Sequence, residues 1–175
     1  MTEILRATGL GFAPTGIPEP VLEAARARGK AVHYGLEALV YEYDHPALTA
    51  PALAGYFDAF KKFVAESGFK AERAEFEVTH AAWRYVGHPD LLGYLLGRRA
   101  ILDAKTGDDT GVEYQLAAYR AAWNEEHPTE RVEIIAALKL NDDGTYRLRE
   151  IEIAEAERVW FAALTIYRAQ PRRHP

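Results

Sequence analysis

The periodicity of this chain changes at Phe69, and that change bounds the folds open to it. Up to Gly68 the apolar residues repeat with helical spacing. Thr2 is placed to cap a short helix through Arg6, which Gly9 and Gly11 end. After a loop rich in Pro and Gly, Leu22, Ala25, Val32, Leu36 and Val40 fall on one face of a helix starting at Glu19. Gly29 and Gly35 each weaken that helix by about 1 kcal/mol against Ala. They mark either close packing or a break near Gly29. Asp44-His45-Pro46 closes the element, and a second helix from about Ala50 to Glu66 stops at Ser67-Gly68.

Beyond Phe69 the repeat shortens. Glu75 to Val78 alternates as a strand, Trp83 to Tyr94 reads as a second, and Gly97 turns the chain into a third from Arg98 to Ala104. Helical spacing returns from Val112 to about Glu125. Arg131 to Leu140 and Thr145 to Ile153 are strands joined by the hairpin turn Asn141-Asp142-Asp143-Gly144. Glu155 to Ala169 closes as an amphipathic helix. This order predicts an α/β fold: a mixed central β-sheet of about five strands flanked by helices, with an N-terminal helical segment. A chain of 175 residues is expected to form a single domain, with a helical part over 1–68 and an α/β core over 69–170.

One strand carries residues that a strand does not ask for. Ile101-Leu102-Asp103-Ala104-Lys105 is an apolar run interrupted by a carboxylate, and Asp is depleted in strands. Asp103 and Lys105 are two apart, so both side chains leave the same face. Twelve residues separate Asp103 from His88-Pro89-Asp90, which puts a second carboxylate on the neighbouring strand. Two carboxylates and a lysine brought together suit metal-dependent phosphodiester cleavage: a cage for a divalent ion, and a positive group beside the attacked phosphate. The carbonyl of Ala104 is a further oxygen for such an ion. The competing reading is a surface hairpin whose Asp–Lys pair contributes under about 1 kcal/mol.

Composition narrows the ion. There are 0 cysteines, which excludes disulfides, thiolate zinc and cysteine-ligated iron–sulfur clusters, and leaves oxygen and imidazole as ligands. Those ligands favour magnesium, manganese or calcium. A net charge of −5 argues against a protein that coats nucleic acid, though not against an enzyme that touches it in one groove. Basic residues come in small clusters: Arg26, Arg28 and Lys30; Lys61 and Lys62; Arg98 and Arg99; Arg172 and Arg173. Each alone reads most simply as solvated surface. No apolar run approaches the ~20 residues of a membrane span and no basic-then-apolar leader opens the sequence, so a cytoplasmic setting is expected.

Four segments in this order resemble the PD-(D/E)XK nuclease superfamily, and within it the RecB-type nucleases and their compact phage relatives. They are Arg28-Gly29-Lys30-Ala31-Val32-His33, Tyr85-Val86-Gly87-His88-Pro89-Asp90, Asp103-Ala104-Lys105 and Gln115-Leu116-Ala117-Ala118-Tyr119. The resemblance implies a restriction-endonuclease-like core and a DNA nuclease, exonuclease in preference to endonuclease, in recombination, repair or replication. It implies Asp90, Asp103 and Lys105 as catalytic residues, with one or two Mg2+ or Mn2+ ions held by His33, Asp90, Asp103 and the Ala104 carbonyl. Glu75 is a further ligand, or Glu77 if the assignment slips by two. Gln115 and Tyr119 would place the strand, Tyr119 by donating to a phosphate or stacking on a base, and Arg98 would contact substrate. DNA is the partner so implied, with recombination or single-strand-binding proteins beside it, in a bacterial or phage-infected cell. His33 and Glu37 lie one turn apart, so both could face the carboxylates. Two other classes stay open: an end-recognition subunit that keeps the fold without the chemistry, and an assembly protein in which these residues form ordinary salt bridges.

Overall fold

A computed structural model describes residues 1–170, so the Arg172–Arg173 cluster lies outside the described residues. The chain runs α1 (Thr2–Ala7), α2 (Glu19–Tyr41), two 3-10 turns (Pro46–Thr49 and Pro51–Leu53), α3 (Ala54–Ser67), β1 (Lys70–Ala74), β2 (Val78–His80) and β3 (Tyr85–Gly87). It continues through β4 (Leu91–Leu95), β5 (Arg98–Lys105), α4 (Val112–Glu126), β6 (Ile134–Leu140), β7 (Tyr146–Glu150) and α5 (Ile153–Ala169). Five strands form one mixed sheet in the order β1-β4-β5-β6-β7, and β2 and β3 form a separate pair. Only β5 and β6 are parallel, and α4 makes the crossover between them. The mixed sheet flanked by helices is the architecture expected from the order of periodicities.

The sheet buries both faces. On one, Val32 and Leu36 of α2 and Phe57, Phe60 and Phe63 of α3 pack with Leu91, Leu102 and Leu138. On the other, Leu116 and Trp123 of α4 and Trp160 of α5 pack with Leu92, Ile101 and Ile135. A strand covered on both sides reads as a continuous apolar run, which is why β5 does. Alternation then fixes the exception: Asp103 leaves β5 on the side of Ile101, under α4, and is only 1% exposed.

α2 runs unbroken through Gly29 and Gly35. The second glycine is explained by packing, since a Cβ there would overlap the ring of Phe57. Gly35→Ala should therefore destabilise the fold by about 1–3 kcal/mol, because the Phe57 ring is buried and has little room to move. A thermal melt of the variant that matches wild type would show that α2 and α3 are not packed this way.

Two expected strands are corrected. Trp83–Tyr94 is not continuous, because Pro89 cannot donate to a ladder and the chain divides into β3 and β4, which belong to different sheets. Glu75–Val78 is not a strand either. β1 ends at Ala74, and Glu75 has φ +48°, a left-handed conformation that turns the chain out of the sheet. Its N–H still donates to the Asp90 carbonyl at 3.0 Å, so this turn is fastened to the segment before β4.

Candidate metal centre

β4 and β5 pair only as far as Leu91 and Leu102, so on the β4 side the N–H and carbonyl of Ala104 meet no strand, although β6 still runs beside β5 there. Two side chains satisfy them. The N–H of Ala104 donates to Asp90 Oδ2 at 2.6 Å, and its carbonyl meets His33 Nε2 at 3.1 Å. A carbonyl can only accept, so Nε2 carries the proton. That turns Nδ1 toward the carboxylates, 2.9 Å from Glu75 Oε1 and 3.4 Å from Asp90 Oδ1. One ligand atom from each of His33, Glu75 and Asp90 lies within 4.8 Å of the others.

Behind this trio sits a buried ion pair. Lys105 Nζ is 2.6 Å from Asp103 Oδ2. Neither oxygen of Asp103 has an aligned hydrogen bond among the described residues, so its charge is balanced at close range by the Lys105 ammonium and from farther off by the His33 imidazole. The cluster is short of positive charge. Burial, then the Asp103 charge, pushes the Asp90 carboxyl up to about 7. Burial would lower the His33 imidazole, but Asp90, Glu75 and Asp103 outweigh it and raise it to about 9. Lys105 is likewise raised, burial being overcome by Asp103 and Asp90. Burial and then the same two carboxylates lift the Tyr119 phenol well above its usual range.

These residues fit a hard divalent cation. The donors are carboxylate oxygens and one imidazole nitrogen. The 2.9 and 3.4 Å separations are close to the ~3 Å edge of an octahedron with ~2.1 Å bonds. A second proton-bearing nitrogen fixed on a backbone carbonyl is the usual support for a metal-binding imidazole.

Each residue expected from sequence can now be placed. His33, Asp90 and Glu75 converge, and Glu75 rather than Glu77 is the acid that meets His33. Asp90 lies just ahead of β4, not on a strand. Asp103 is beside the trio but turned to Lys105, and is not one of the three converging groups. The Ala104 carbonyl points into the cluster but is engaged by His33. Gln115 donates to the Tyr119 hydroxyl at 2.5 Å. Tyr119 is 3% exposed, and its ring packs so closely on Gly87 that a Cβ there would strike it. No ring face is open to a base, which removes the stacking role expected for it.

Arg98 is separated from the cluster. It stands at the opposite end of β5 from Lys105, roughly 23 Å away at ~3.3 Å per residue. Its guanidinium lies 3.9 Å from Glu150. Glu37 does not join the carboxylates either, because it accepts the Tyr43 hydroxyl. Two cations not singled out from sequence hold the loop that follows Lys105. Lys139 donates to the Gly107 carbonyl, and Arg149 meets Asp109 at 2.9 Å. The signal for Lys139 was its register, directly opposite Lys105, which requires knowing that β5 and β6 are parallel neighbours.

No family model and no curated protein matches the chain. Among solved structures, one named "Putative exonuclease", from Eubacterium rectale, aligns with 83% of this chain and 69% of its own, at a TM-score of 0.49 and 10% identity. A second, SSO0001, aligns with 89% of this chain and 64% of its own, at a TM-score of 0.42 and 19% identity. This chain thus spans just under two thirds of SSO0001. Likenesses so distant assign no chemistry, which has to be read from the side chains.

Proposed function

We propose that this chain is a divalent-metal-dependent nuclease that hydrolyses phosphodiester bonds of DNA, working from strand ends. The observation that carries the reading is the convergence of His33, Glu75 and Asp90 beside the Asp103–Lys105 pair, with His33, Asp90 and the pair falling in three of the four segments that resemble the PD-(D/E)XK superfamily. His33, Glu75 and Asp90 would hold the ion, Mg2+ or Mn2+, and Asp103 would join them only by turning from Lys105. When bound, the ion polarises the scissile phosphate and lowers the pKa of water.

The chain's own residues supply the rest. Lys105 is held in register with β6 and carries its charge at neutral pH, so it stands ready for the charge that builds on the phosphate oxygens. Water adds at phosphorus, the bond to the 3′ oxygen breaks, and the products are a 5′-phosphate and a 3′-hydroxyl. Gln115 and Tyr119 are bonded to each other on α4, with Tyr119 near enough to Asp103 and Asp90 for their charges to raise its phenol. A role in recombination, repair or replication, in phage or prophage, belongs to the same proposal. Among the described residues no helix is long and apolar enough to cross a membrane.

The test is degradation of an end-labelled DNA oligonucleotide with manganese or magnesium, with and without excess EDTA. Cleavage is expected only with the ion present, with mononucleotides released progressively from an end. Undiminished cleavage in EDTA would overturn the metal-dependent reading. Tight DNA binding without cleavage in either ion would leave an end-recognition subunit that has lost the chemistry.

A further inference from the structure

Directly beside the candidate metal centre, α2 and the loop after it expose three tyrosines. Tyr34, Tyr41 and Tyr43 are 41%, 48% and 42% exposed, although large aromatic rings are rarely left in groups on a surface. Two of the three hydroxyls are already engaged. Tyr41 Oη donates to the Ala74 carbonyl at 3.2 Å and accepts the Ala74 N–H at 3.0 Å, while Tyr43 donates to Glu37. Tyr41 and Tyr43 thus offer mainly ring surface to solvent. The rings are linked through His45, which lies 5.7 Å from Tyr34 and 6.5 Å from Tyr43 between centroids. Lys30 Nζ hovers 5.5 Å from the Tyr34 ring centre.

The patch is tied to the centre at two points. Tyr34 follows His33 in sequence, and Tyr41 is bonded to the residue before Glu75. A strand with a phosphate at His33 and Glu75 would carry its next nucleotide onto this surface. We propose that Tyr34, flanked by Lys30 and His45, is a stacking platform for an unpaired base, and that it makes the site selective for single-stranded nucleic acid. This rests on the nuclease reading and names its substrate class.

The physical basis is the combination of ring and ammonium. A flat aromatic face binds any base by stacking, and a lysine beside it takes the adjoining phosphate. Lys30 is exposed and flexible, so a base can replace it over Tyr34 while its charge moves outward to the backbone. Bases inside a duplex already stack on one another and offer no free face. Glu42 and Asp44 flank Tyr43 in the chain and Glu37 acts on its phenol, so phosphate is disfavoured at that ring. The Lys30 ammonium stands over Tyr34, which makes Tyr34, rather than Tyr43, the contact.

The experiment measures fluorescence anisotropy of an oligothymidylate of about twelve nucleotides, within the ~4–16 that such sites cover, and of a duplex of equal length. Binding is read in calcium, and cleavage separately in manganese. Wild type should prefer the single strand. Tyr34→Ala should lose about ten-fold or more of single-strand affinity with duplex affinity unchanged, and Tyr34→Phe should restore it, since it keeps the ring. The proposal is overturned if Tyr34→Ala binds the single strand as wild type does, or if both forms weaken equally. It is also overturned if wild type prefers duplex, or if only a protein partner competes for the patch. Wild type that neither binds nor cleaves nucleic acid would overturn the nuclease reading along with it. Normal cleavage with an indifferent Tyr34→Ala variant would sink the platform alone.

Discussion

Lys105→Ala should lower kcat/KM for DNA cleavage by about 100- to 1000-fold or more, the range for removing a preorganised charge from a transition state. The position makes the effect large. Lys105 ends β5 still paired with Lys139 of β6, and the loop after it is fastened by Lys139 and Arg149. Its charge is secured by Asp103 and Asp90, so it is present throughout the neutral range. The variant should also show a second effect. Asp103 would be left buried without its nearest counter-charge, which costs on the order of 3–5 kcal/mol. Melting in EDTA should thus fall below wild type, and manganese should recover more of that loss than it adds to wild type. Lys105→Arg separates charge from shape, because a planar guanidinium keeps the former without the compact ammonium. Cleavage by Lys105→Ala within ten-fold of wild type, at saturating manganese, would remove Lys105 from the chemistry.

Much of the layout was legible because one physical signal dominated each element. The β5 run is apolar since both its faces are covered, and Gln115 and Tyr119 share a helix side because α4 is regular. The failures have a common cause. Glu75 sits in a left-handed turn that no local propensity announces, since Glu disfavours it; the bond from its N–H to Asp90 and the contact with His33 hold it there. Pro89 was read as part of a strand when its missing donor divides two sheets. Tyr119 was given an exposed role because periodicity places a side chain on a helix face without saying what covers that face. Arg98 shared a strand with Lys105, and sequence proximity hid the length of that strand. In each case the deciding contact joins segments distant in sequence.

In EDTA, Asp90→Asn should be more stable than wild type above about pH 7 and equal to it below about pH 4. The folded protein raises the Asp90 carboxyl from 3.8 to about 7 through burial and the neighbouring Asp103. A raised value means that the folded state binds the proton more tightly, so stability falls as pH climbs through that window. By pH 8 the ionised group costs on the order of a few kcal/mol. Asparagine removes the charge and keeps an oxygen for the Ala104 N–H. His33 runs in the same direction over a later window. Its charged form is stabilised by the carboxylates, and that contribution, complete below pH 6.5, is lost as pH rises through about 9. Manganese should invert the order. An ion taking the Nδ1 and carboxylate positions displaces those protons, so its affinity for wild type rises with pH, and saturation stabilises the fold by RT ln(1 + [L]/Kd). Asp90→Asn, with one anionic ligand fewer, should gain little. Melts at pH 4, 5 and 8 in EDTA and in manganese decide the matter. A variant less stable than wild type at pH 8 in EDTA would contradict the burial cost, and one that binds manganese as tightly would show that Asp90 holds no ion.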